Sequence, residues 1–418
     1  MLALKLARPC AAALAAAALL AGGSVAAQTA PPYPELLRRA EAAQSPRLAV
    51  AEAEVRAAQG RAQQAGVRPN PTIGLEIENF AGSAPFDALR GSETTLSASQ
   101  TLEIFGQRGA RTSAAQAEVG AARARAASAR IGLAHDLASA YAEAEARQQR
   151  LAAAEEALAI AQADARVTRT LVDAGREPAI RAVQANAAVS AAEAELEGVR
   201  ADLAEALSRL AALSGSAEPI TAVTPGLLNQ VAAPSAGAFD GAQTPAILQA
   251  RAEREVAARR VRVEQLRGRP DPTVSLGVRR LQMEEATALV AGVSAPLPLF
   301  DRNRGATQAA RAELQAADAR LRQAELEAET EARSATARLS ASERRLTAAL
   351  TGEAAAAEAH RAARIGYEAG RFPLTDVLSA RRGLSEAREQ TIAARLARAQ
   401  AQAALARLQG RIPFGVDQ

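Results

Sequence analysis

The stretch Arg68-Pro69-Asn70-Pro71-Thr72-Ile73-Gly74-Leu75 recurs further along the chain as Arg269-Pro270-Asp271-Pro272-Thr273-Val274-Ser275-Leu276. In both copies the two prolines end a helical pattern, because proline lacks an amide donor and clashes with the preceding turn. The residues after the prolines then alternate between apolar and small or polar side chains, which is typical of a strand with one apolar face. The repeated unit therefore contains a helix followed by an amphipathic strand.

Two further motifs repeat in the same order. Leu102-Glu103-Ile104-Phe105-Gly106 corresponds to Leu297-Pro298-Leu299-Phe300-Asp301, and Ala174-Gly175-Arg176-Glu177-Pro178 corresponds to Ala369-Gly370-Arg371-Phe372-Pro373. The copies lie about 195–201 residues apart, which is much longer than a solenoid repeat. We infer a duplicated module of roughly 200 residues.

The duplication and the composition predict five segments along the chain. They are a leader (1–27), a first repeat (28–215), a linker rich in Pro, Gly, Ser and Ala (216–243), a second repeat (244–410) and a C-terminal tail (411–418). Each repeat is expected to hold a helix, a β-hairpin and a long helical hairpin. The β-hairpins are predicted over 71–104 and 272–300, and the helical hairpins over 108–213 and 304–409.

The first 27 residues have the pattern of an export signal. Lys5 and Arg8 precede an apolar run from Ala11 to Ala21, and Val25-Ala26-Ala27 offers a small-residue cleavage site. The alternative is a membrane anchor, but about a dozen apolar residues are too few to span a bilayer. Cys10 is the only cysteine and lies before the apolar run, which does not favour a lipoprotein; cleavage would leave no cysteine for a disulfide or a thiolate metal site.

The predicted β-hairpins have one apolar and one polar face. Each strand is roughly ten residues long, the length that crosses a bilayer at a tilt in outer-membrane barrels. The polar face of the first hairpin carries three carboxylates: Glu76, Glu78 and Glu103. We expect them to line a wet lumen, with at most a weak preference for cations.

The helical segments are unusually long. One helix is predicted from Tyr33 to Ala65, and another runs without proline from about Gly109 to Asp173, on the order of 95 Å at 1.5 Å per residue. Hydrophobic residues make up 49 % of the chain but aromatic residues only 2 %, because alanine dominates. Alanine favours helices and lets them approach closely, so long thin helices packed side by side are expected.

Glycine and proline mark the ends of the two helical hairpins. Gly175 and Gly370 suit the left-handed residue that ends a helix, and Pro178 and Pro373 suit the start of the next. Such short connections force antiparallel neighbours. The returning helix of the first hairpin places apolar residues at seven-residue spacing, which predicts a coiled-coil seam. These residues are Val189, Leu196, Leu203 and Leu210.

Four amphipathic strands cannot close a membrane barrel, since the smallest need about eight. An open strand edge in lipid would leave backbone groups unpaired. The strands are therefore expected to be shared among several chains. The result would be an oligomeric tube, a β-barrel in a membrane that continues into a helical barrel.

These features also resemble a known family, the TolC-type outer-membrane efflux proteins. The resemblance rests on the duplicated halves, the Pro-Asn-Pro before the first strand, Pro296-Leu297-Pro298-Leu299-Phe300-Asp301 after the fourth, and Thr375-Asp376-Val377-Leu378 after the second tip turn. It implies a mainly α fold with a membrane β-barrel contribution, assembled as a trimeric α/β-barrel tunnel. It also implies partners: a homotrimer with a twelve-stranded barrel in outer-membrane lipid, a periplasmic adaptor protein, and an inner-membrane resistance-nodulation-division pump.

The segment from Ser99 to Glu103, followed by Gly106-Gln107-Arg108, resembles the branch that serves heavy-metal and cation efflux pumps, the CzcC-like proteins. We therefore expect a passive exit duct for metal cations. The alternatives on the same fold are multidrug efflux and type I secretion. A periplasmic adaptor would need strand-rich domains around one hairpin, and a structural coiled-coil protein would not need the amphipathic hairpins.

No enzyme chemistry is predicted, and no cofactor, metal site or nucleic-acid partner. His135 and His360 are the only histidines, and they lie too far apart in sequence to share a helix face. No phosphate-binding loop, nucleophile elbow or paired-carboxylate pattern occurs. The net charge is only +4, and the arginines of the chain are interleaved with acidic residues, as on solvated helices. This pattern does not indicate a nucleic-acid-binding surface.

The two helical turns are the preferred functional sites. Turn chemistry alone explains Gly175, Pro178, Gly370 and Pro373, but it does not explain the arginine that follows each glycine. The residues that turn chemistry leaves unexplained are Arg176 and Arg371, together with Asp376 in the predicted first turn of the returning helix. In the family that the chain resembles, the corresponding tips form the closed periplasmic end and receive the adaptor. We therefore predict a gate and docking surface, with an Arg371–Asp376 contact within or between chains holding the end closed.

Overall fold

The computed structural model describes residues 28–43, 45–83, 88–216, 218–230 and 241–415. The predicted leader lies outside the described residues, as do the middle of the linker and the last three residues. The strands are β1 Gln28–Ala30, β2 Thr72–Glu78, β3 Glu93–Thr101, β4 Ile220–Val223, β5 Thr273–Leu281 and β6 Ala286–Ser294. The helices are α1 Tyr33–Ala42, α2 Pro46–Ala65, α3 Gln107–Asp173, α4 Ala179–Ser214, α5 Pro245–Arg267, α6 Arg304–Glu368 and α7 Leu374–Leu408.

Two very long helices dominate the molecule. Helix α3 has 67 residues and α6 has 65, so each is about 100 Å long. Each packs against the returning helix of its own hairpin, α4 or α7. Close packing is possible because the contact face of α3 is lined with small side chains; Ala134, Ala138, Ala142 and Ala146 are all fully buried. Within the described part of the chain, no helix is long and apolar enough to cross a membrane.

The four longer strands form one antiparallel sheet in the order β2-β3-β5-β6. The hairpin of each repeat thus contributes two neighbouring strands, and β3 and β5 join the repeats. The helices that lead into and out of the strands continue this order below the sheet, because α2 packs on α3, α3 on α5, and α5 on α6. Sheet and helix layer therefore share the same two edges, one formed by β2 and α2 and the other by β6 and α6.

A second, two-stranded sheet lies about halfway along α3. Strand β1 pairs in parallel with β4, which lies in the segment predicted as a linker. The linker therefore contains a short strand, which its composition did not indicate. Around this sheet lies the larger of two buried apolar clusters found among the described residues, centred on Tyr33, Tyr141, Leu137 and Leu210.

The structure corrects three sequence-based boundaries. The largest difference is in the second hairpin, predicted over 272–300, where β6 ends at Ser294. The helix predicted from Tyr33 to Ala65 is divided into α1 and α2, because Pro46 starts a new helix after the extended Ser45. The second strand of the first hairpin ends at Thr101, three residues earlier than predicted. Of the predicted seam of α4, Leu196, Leu203 and Leu210 are buried, whereas Val189 is half-buried.

Candidate functional site

The sheet exposes a continuous apolar face. Leu75, Leu96, Val278 and Leu289 stand directly opposite one another across all four strands. Their side chains are 66 %, 55 %, 45 % and 88 % exposed. The next row on the same face consists of Ile73, Ala98, Leu276 and Ala291. An exposed apolar surface of this kind marks a contact with lipid or protein.

The opposite face of the sheet is polar or small. One row consists of Thr72, Ser99, Ser275 and Gly292, and the Thr72 and Ser99 hydroxyl oxygens lie 2.6 Å apart. Glu76 and Glu78 lie on this face, as the alternation predicts, and Glu76 is exposed. Glu78 is not free, because the Arg279 guanidinium forms an ion pair with it at 3.0 Å and donates a hydrogen bond to Glu93 at 2.9 Å. This arginine therefore neutralises part of the acidic character expected of the face.

Glu103 lies outside the strand, contrary to the prediction. The chain turns after Thr101. The Glu103 carboxylate accepts hydrogen bonds from two guanidinium nitrogens of Arg111, which lies in the second turn of α3. This hydrogen bond raises the pKa of Arg111, and the Glu103 carboxylate is almost fully buried. Glu103 thus fixes the junction between sheet and helices and does not line a lumen.

A neighbouring contact at the junction joins the two repeats. Gln107, the first residue of α3, donates to Asp271, which precedes β5. Burial raises the pKa of Asp271, and the nearby negative charge of Glu103 adds to the shift. The duplicated Pro-Asn/Asp-Pro motif therefore supplies a tether between the halves at this point.

The two helical turns have the geometry that glycine and proline predict. Gly175 and Gly370 adopt φ angles of +69° and +70°. After each glycine, the arginine amide bonds back to a carbonyl of the preceding helix: Arg176 to Leu171 and Arg371 to Gly366. Pro178 and Pro373 then cap the returning helices in an extended conformation.

The charged tip residues are available for contacts outside the chain. Arg176, Arg371 and Asp376 are exposed. Among the residues that the structure describes, neither Arg371 nor Asp376 forms an ion pair, so the intrachain form of the predicted contact is absent. Apolar side chains around the turns are also exposed: Ile180, Val183, Phe372 and Leu374. The tips therefore offer mixed polar and apolar surface.

Above the tips, three ion pairs join the first hairpin to the second. They connect α3 to α7 through Arg150–Glu389 at 3.0 Å, Glu156–Arg388 at 2.9 Å and Asp164–Arg381 at 2.8 Å. These pairs could not be predicted from the sequence, because the partners are 217 to 239 positions apart. These contacts fix the two hairpins side by side on the approach to the turns.

A buried carboxylate anchors the linker to α3. Glu145 is 1 % exposed, and its oxygens accept from the amides of Gly226, Leu227 and Leu228 at 2.8, 2.9 and 3.2 Å. On the next turn, the Gln148 side chain both accepts from the Val223 amide and donates to its carbonyl. The sequence signal, which we missed, is a charge on an otherwise apolar helix stripe.

Helix α7 holds the same linker from the other side. The Arg398 guanidinium donates to the carbonyl oxygens of Leu228 at 2.9 Å and Gln230 at 3.1 Å. The linker is thus fixed between α3 and α7, one helix from each repeat.

The two histidines do not form a site. His135 is half-buried on α3, and burial lowers the pKa of its imidazole. His360 lies on α6. Within the described ranges, no group of three or more His, Cys, Asp or Glu side chains is placed to hold a metal ion.

A four-stranded amphipathic sheet with two open edges, carried on helices of about 100 Å, defines a subunit of a TolC-like channel. The chain belongs to the outer membrane efflux protein family, whose model matches residues 36–216 and 242–411. This family consists of channel components and not of enzymes.

In sequence, the chain is similar to three metal-resistance proteins. It is 41 % identical to the nickel-cobalt-cadmium resistance protein NccC of Alcaligenes xylosoxydans xylosoxydans, over 70 % of this chain and 66 % of that protein. It is 43 % identical to the nickel and cobalt resistance protein CnrC of Cupriavidus metallidurans, over 68 % of each chain. The cobalt-zinc-cadmium resistance protein CzcC of the same organism is 30 % identical over 82 % of this chain and 81 % of CzcC.

Solved structures confirm the fold. The outer membrane protein VceC of Vibrio cholerae matches with a TM-score of 0.71 at 24 % identity, over 91 % of this chain and 96 % of VceC. CusC matches with a TM-score of 0.75 at 19 % identity, over 91 % of this chain and 92 % of CusC. The mainly α fold with duplicated helical hairpins and β-hairpins is therefore confirmed.

Proposed function

We propose that this chain is the outer-membrane channel subunit of a tripartite efflux system, and that it passively conducts heavy-metal cations to the exterior. The observation that carries the proposal is the sheet with an exposed apolar face, a polar opposite face and two unpaired edges, mounted on helices long enough to extend far from a membrane. A soluble monomer would not expose such a face, and open edges in lipid would leave backbone groups unsatisfied.

The same proposal includes the assembly and the partners. Three copies would supply twelve strands and close both the sheet and the helix layer. A periplasmic adaptor would dock at the exposed tips and connect them to a resistance-nodulation-division pump. The division into two repeats (28–215 and 244–410) belongs to this proposal, and the matching order of their strands and helices supports it. The proposal also includes a cleaved leader (1–27), which rests on the sequence pattern alone.

Heavy-metal cations are favoured as the substrate because three relatives are named as nickel, cobalt, cadmium or zinc resistance proteins. On the polar face of the sheet, Glu78 and Glu93 are paired with Arg279 and are therefore not free to bind a cation. This favours a duct that conducts passively. Selectivity would then lie in the pump.

Deleting the gene is expected to sensitise cells to nickel, cobalt, cadmium or zinc. Without the exit duct, and with no other channel to replace it, the metal cannot leave the cell by this route. Minimal inhibitory concentrations of these metals, of copper and of a panel of dyes provide the measurement. A plasmid copy of the gene should restore metal resistance, and a copy lacking the residues of both tips should not. Sensitivity to dyes with unchanged metal tolerance would contradict the metal assignment and favour drug efflux.

We further propose that the tips form a gate, closed by Arg371 of one protomer and Asp376 of a neighbour. In a threefold assembly, like charges approach a common axis and repel unless each finds an opposite charge. One exposed pair contributes only about 0–1 kcal/mol, but three pairs act at one constriction. An adaptor that offers other partners to these charges would shift the closed state to an open one.

Arg371→Ser and Asp376→Ala are each expected to raise the conductance of the isolated protein in planar bilayers, because each removes one side of the proposed pair. Arg361→Ser is a matched control. Arg361 is exposed on α6, the helix that leads into the turn, but it pairs with Glu358 of the same helix. Its conductance should equal that of the wild type. Unchanged conductance in both tip variants, with trimers intact, would rule out the gate.

A further inference from the structure

The four helices below the sheet share a charge pattern. Each carries a glutamate and an arginine seven residues apart, and all eight residues line one groove across the layer. They are Glu54 and Arg61 on α2, Glu118 and Arg125 on α3, Glu253 and Arg260 on α5, and Glu313 and Arg320 on α6. Seven residues are two helical turns, about 10.5 Å along the helix axis.

Because neighbouring helices run in opposite directions, the eight charges fall into two levels. Helices α2 and α5 run toward the sheet, whereas α3 and α6 run away from it. The level nearer the sheet contains Arg61, Glu118, Arg260 and Glu313, in order across the layer. The level farther from the sheet contains Glu54, Arg125, Glu253 and Arg320. The sign of the charge therefore alternates from helix to helix in both levels.

At the centre of the layer, this alternation forms ion pairs. Arg260 donates to Glu118 at 2.8 Å in the nearer level, and Arg125 lies 3.6 Å from Glu253 in the farther level. Both pairs cross from α3 to α5 and thus join the two repeats. The contacts verify the assignment of the levels, since each pair lies within one level.

The four residues of this charge pattern that lie on the two edge helices have no such partner among the described residues. Glu54 and Arg61 on α2, and Glu313 and Arg320 on α6, are all exposed. Within the described part of the chain, none of these four residues forms an ion pair. The edges of the sheet are unpaired in the same way, because β2 and β6 each have a single neighbour.

We propose that the occupant of these edges is a second copy of this chain, placed so that Arg61 of one protomer faces Glu313 of the next, and Glu54 faces Arg320. The proposal rests on the proposed function in one respect, that the chain forms a closed ring. In a ring, α2 of one protomer lies beside α6 of its neighbour, and the two run in opposite directions. Both levels then continue their alternation across the boundary, and β2 meets β6 in the antiparallel sense of the rest of the sheet.

The pattern also selects one register between protomers. If α6 of the neighbour slides by one level in one direction, Arg320 comes to face Arg61; in the other direction, Glu313 comes to face Glu54. Either shift replaces two attractive pairs by one repulsive pair. The charges therefore discourage misaligned assembly, in the way that repulsive contacts give coiled coils their partner specificity.

Cysteine cross-linking of the full-length chain in membranes tests this register, in a Cys10→Ser background. The matched double variants are Arg61→Cys/Glu313→Cys and Glu54→Cys/Arg320→Cys. The mismatched controls combine the same positions differently: Arg61→Cys/Arg320→Cys and Glu54→Cys/Glu313→Cys. A short bis-maleimide reagent should yield covalent dimers and trimers on denaturing gels from the matched variants. The mismatched variants should lose these bands, because their thiols are two helical turns further apart, about 10.5 Å.

An intrachain link cannot imitate this result. Helices α2 and α6 of one chain are separated by α3 and α5, so their axes are roughly 25–30 Å apart at 8–10 Å per packed pair. Glu313→Arg should also lower the temperature at which trimers dissociate on gels, and adding Arg61→Glu should restore it.

The outcomes separate the register from the assembly. Trimers that cross-link equally well in matched and mismatched variants, or only in the mismatched ones, would overturn the register while leaving the proposed channel intact. A wild-type protein that is monomeric by size analysis in detergent would overturn the ring itself, and with it both the proposed function and the pairs. Cross-linking confined to the matched variants supports the proposal.

Discussion

Replacing Glu145 with leucine should destabilise the region where the linker packs on α3 by on the order of 2–6 kcal/mol, because the two buried amides of Leu227 and Leu228 lose their acceptor at about 1–3 kcal/mol each. The amides of Gly226, Leu227 and Leu228 point at the carboxylate from the start of a short 3₁₀ helix. Leucine fills a similar volume but accepts no hydrogen bond. Glu145→Gln keeps one oxygen, so it should cost less than the leucine variant.

The measurement is the midpoint of thermal unfolding of the detergent-solubilised protein, together with the rate of proteolysis in the linker. Glu155→Leu is the matched control, since Glu155 lies on the same helix but its side chain is 55 % exposed. A surface change of that kind is expected to stay within about 0.5 kcal/mol. If Glu145→Leu unfolds at the wild-type temperature and resists protease equally, the carboxylate does not anchor the linker.

Glu145 also shows what the sequence leaves unpredicted. Its helix stripe, Ala134, Ala138 and Tyr141, is apolar at helical spacing, and the glutamate continues that stripe. A charge in that position requires partners, but the partners come from a linker 81 to 83 residues away. Composition gave no reason to place a strand there. Strand β4 is only four residues long and is stabilised by pairing with β1 and by side chains of α3.

The tips and strands were predictable for the opposite reason, which is that their signals are local. Positive φ at Gly175 and Gly370 and the proline caps after them depend on a few consecutive residues. Strand alternation likewise needs only a period of two. Glu103 was misplaced because the apolar–polar alternation continues past Thr101 in the sequence, whereas the strand ends at Thr101 and the Glu103 carboxylate pairs with Arg111 near the start of α3. The α3–α7 pairs depend on contacts between repeats, which no local pattern encodes.

The two charge levels across α2, α3, α5 and α6 are a case between the local signals and the long-range contacts. Each Glu and Arg seven residues apart is visible in the sequence, but seven-residue spacing on an alanine-rich helix has no meaning until the neighbours are known. The order α2, α3, α5, α6 and the opposite directions of adjacent helices turn a common local pattern into two complementary rows.

Replacing Leu289 with arginine is expected to prevent stable insertion into the outer membrane. Leu289 is the most exposed member of the row that it forms with Leu75, Leu96 and Val278. If that row faces lipid, an arginine there costs about 2–4 kcal/mol near the bilayer midplane, and a trimer carries it three times. The expected result is that the protein leaves the outer-membrane fraction and is extracted by urea.

Val290→Arg is the control that isolates the direction of the side chain. Val290 is the next residue on the same strand, so it projects from the opposite, polar face, where it stands across from Gly277. Both variants exchange an apolar residue for arginine at the same depth, and only the face differs. An arginine on a water-filled lumen face is tolerated, so Val290→Arg should insert and alter only conductance.

Equal loss of both variants would mean that β6 does not tolerate arginine on either face. Normal insertion of Leu289→Arg would mean that the apolar row contacts something other than lipid. Since both positions lie next to each other on β6 and pair with β5, a difference between the two variants follows from the environment of the two faces and identifies the lipid side of the sheet.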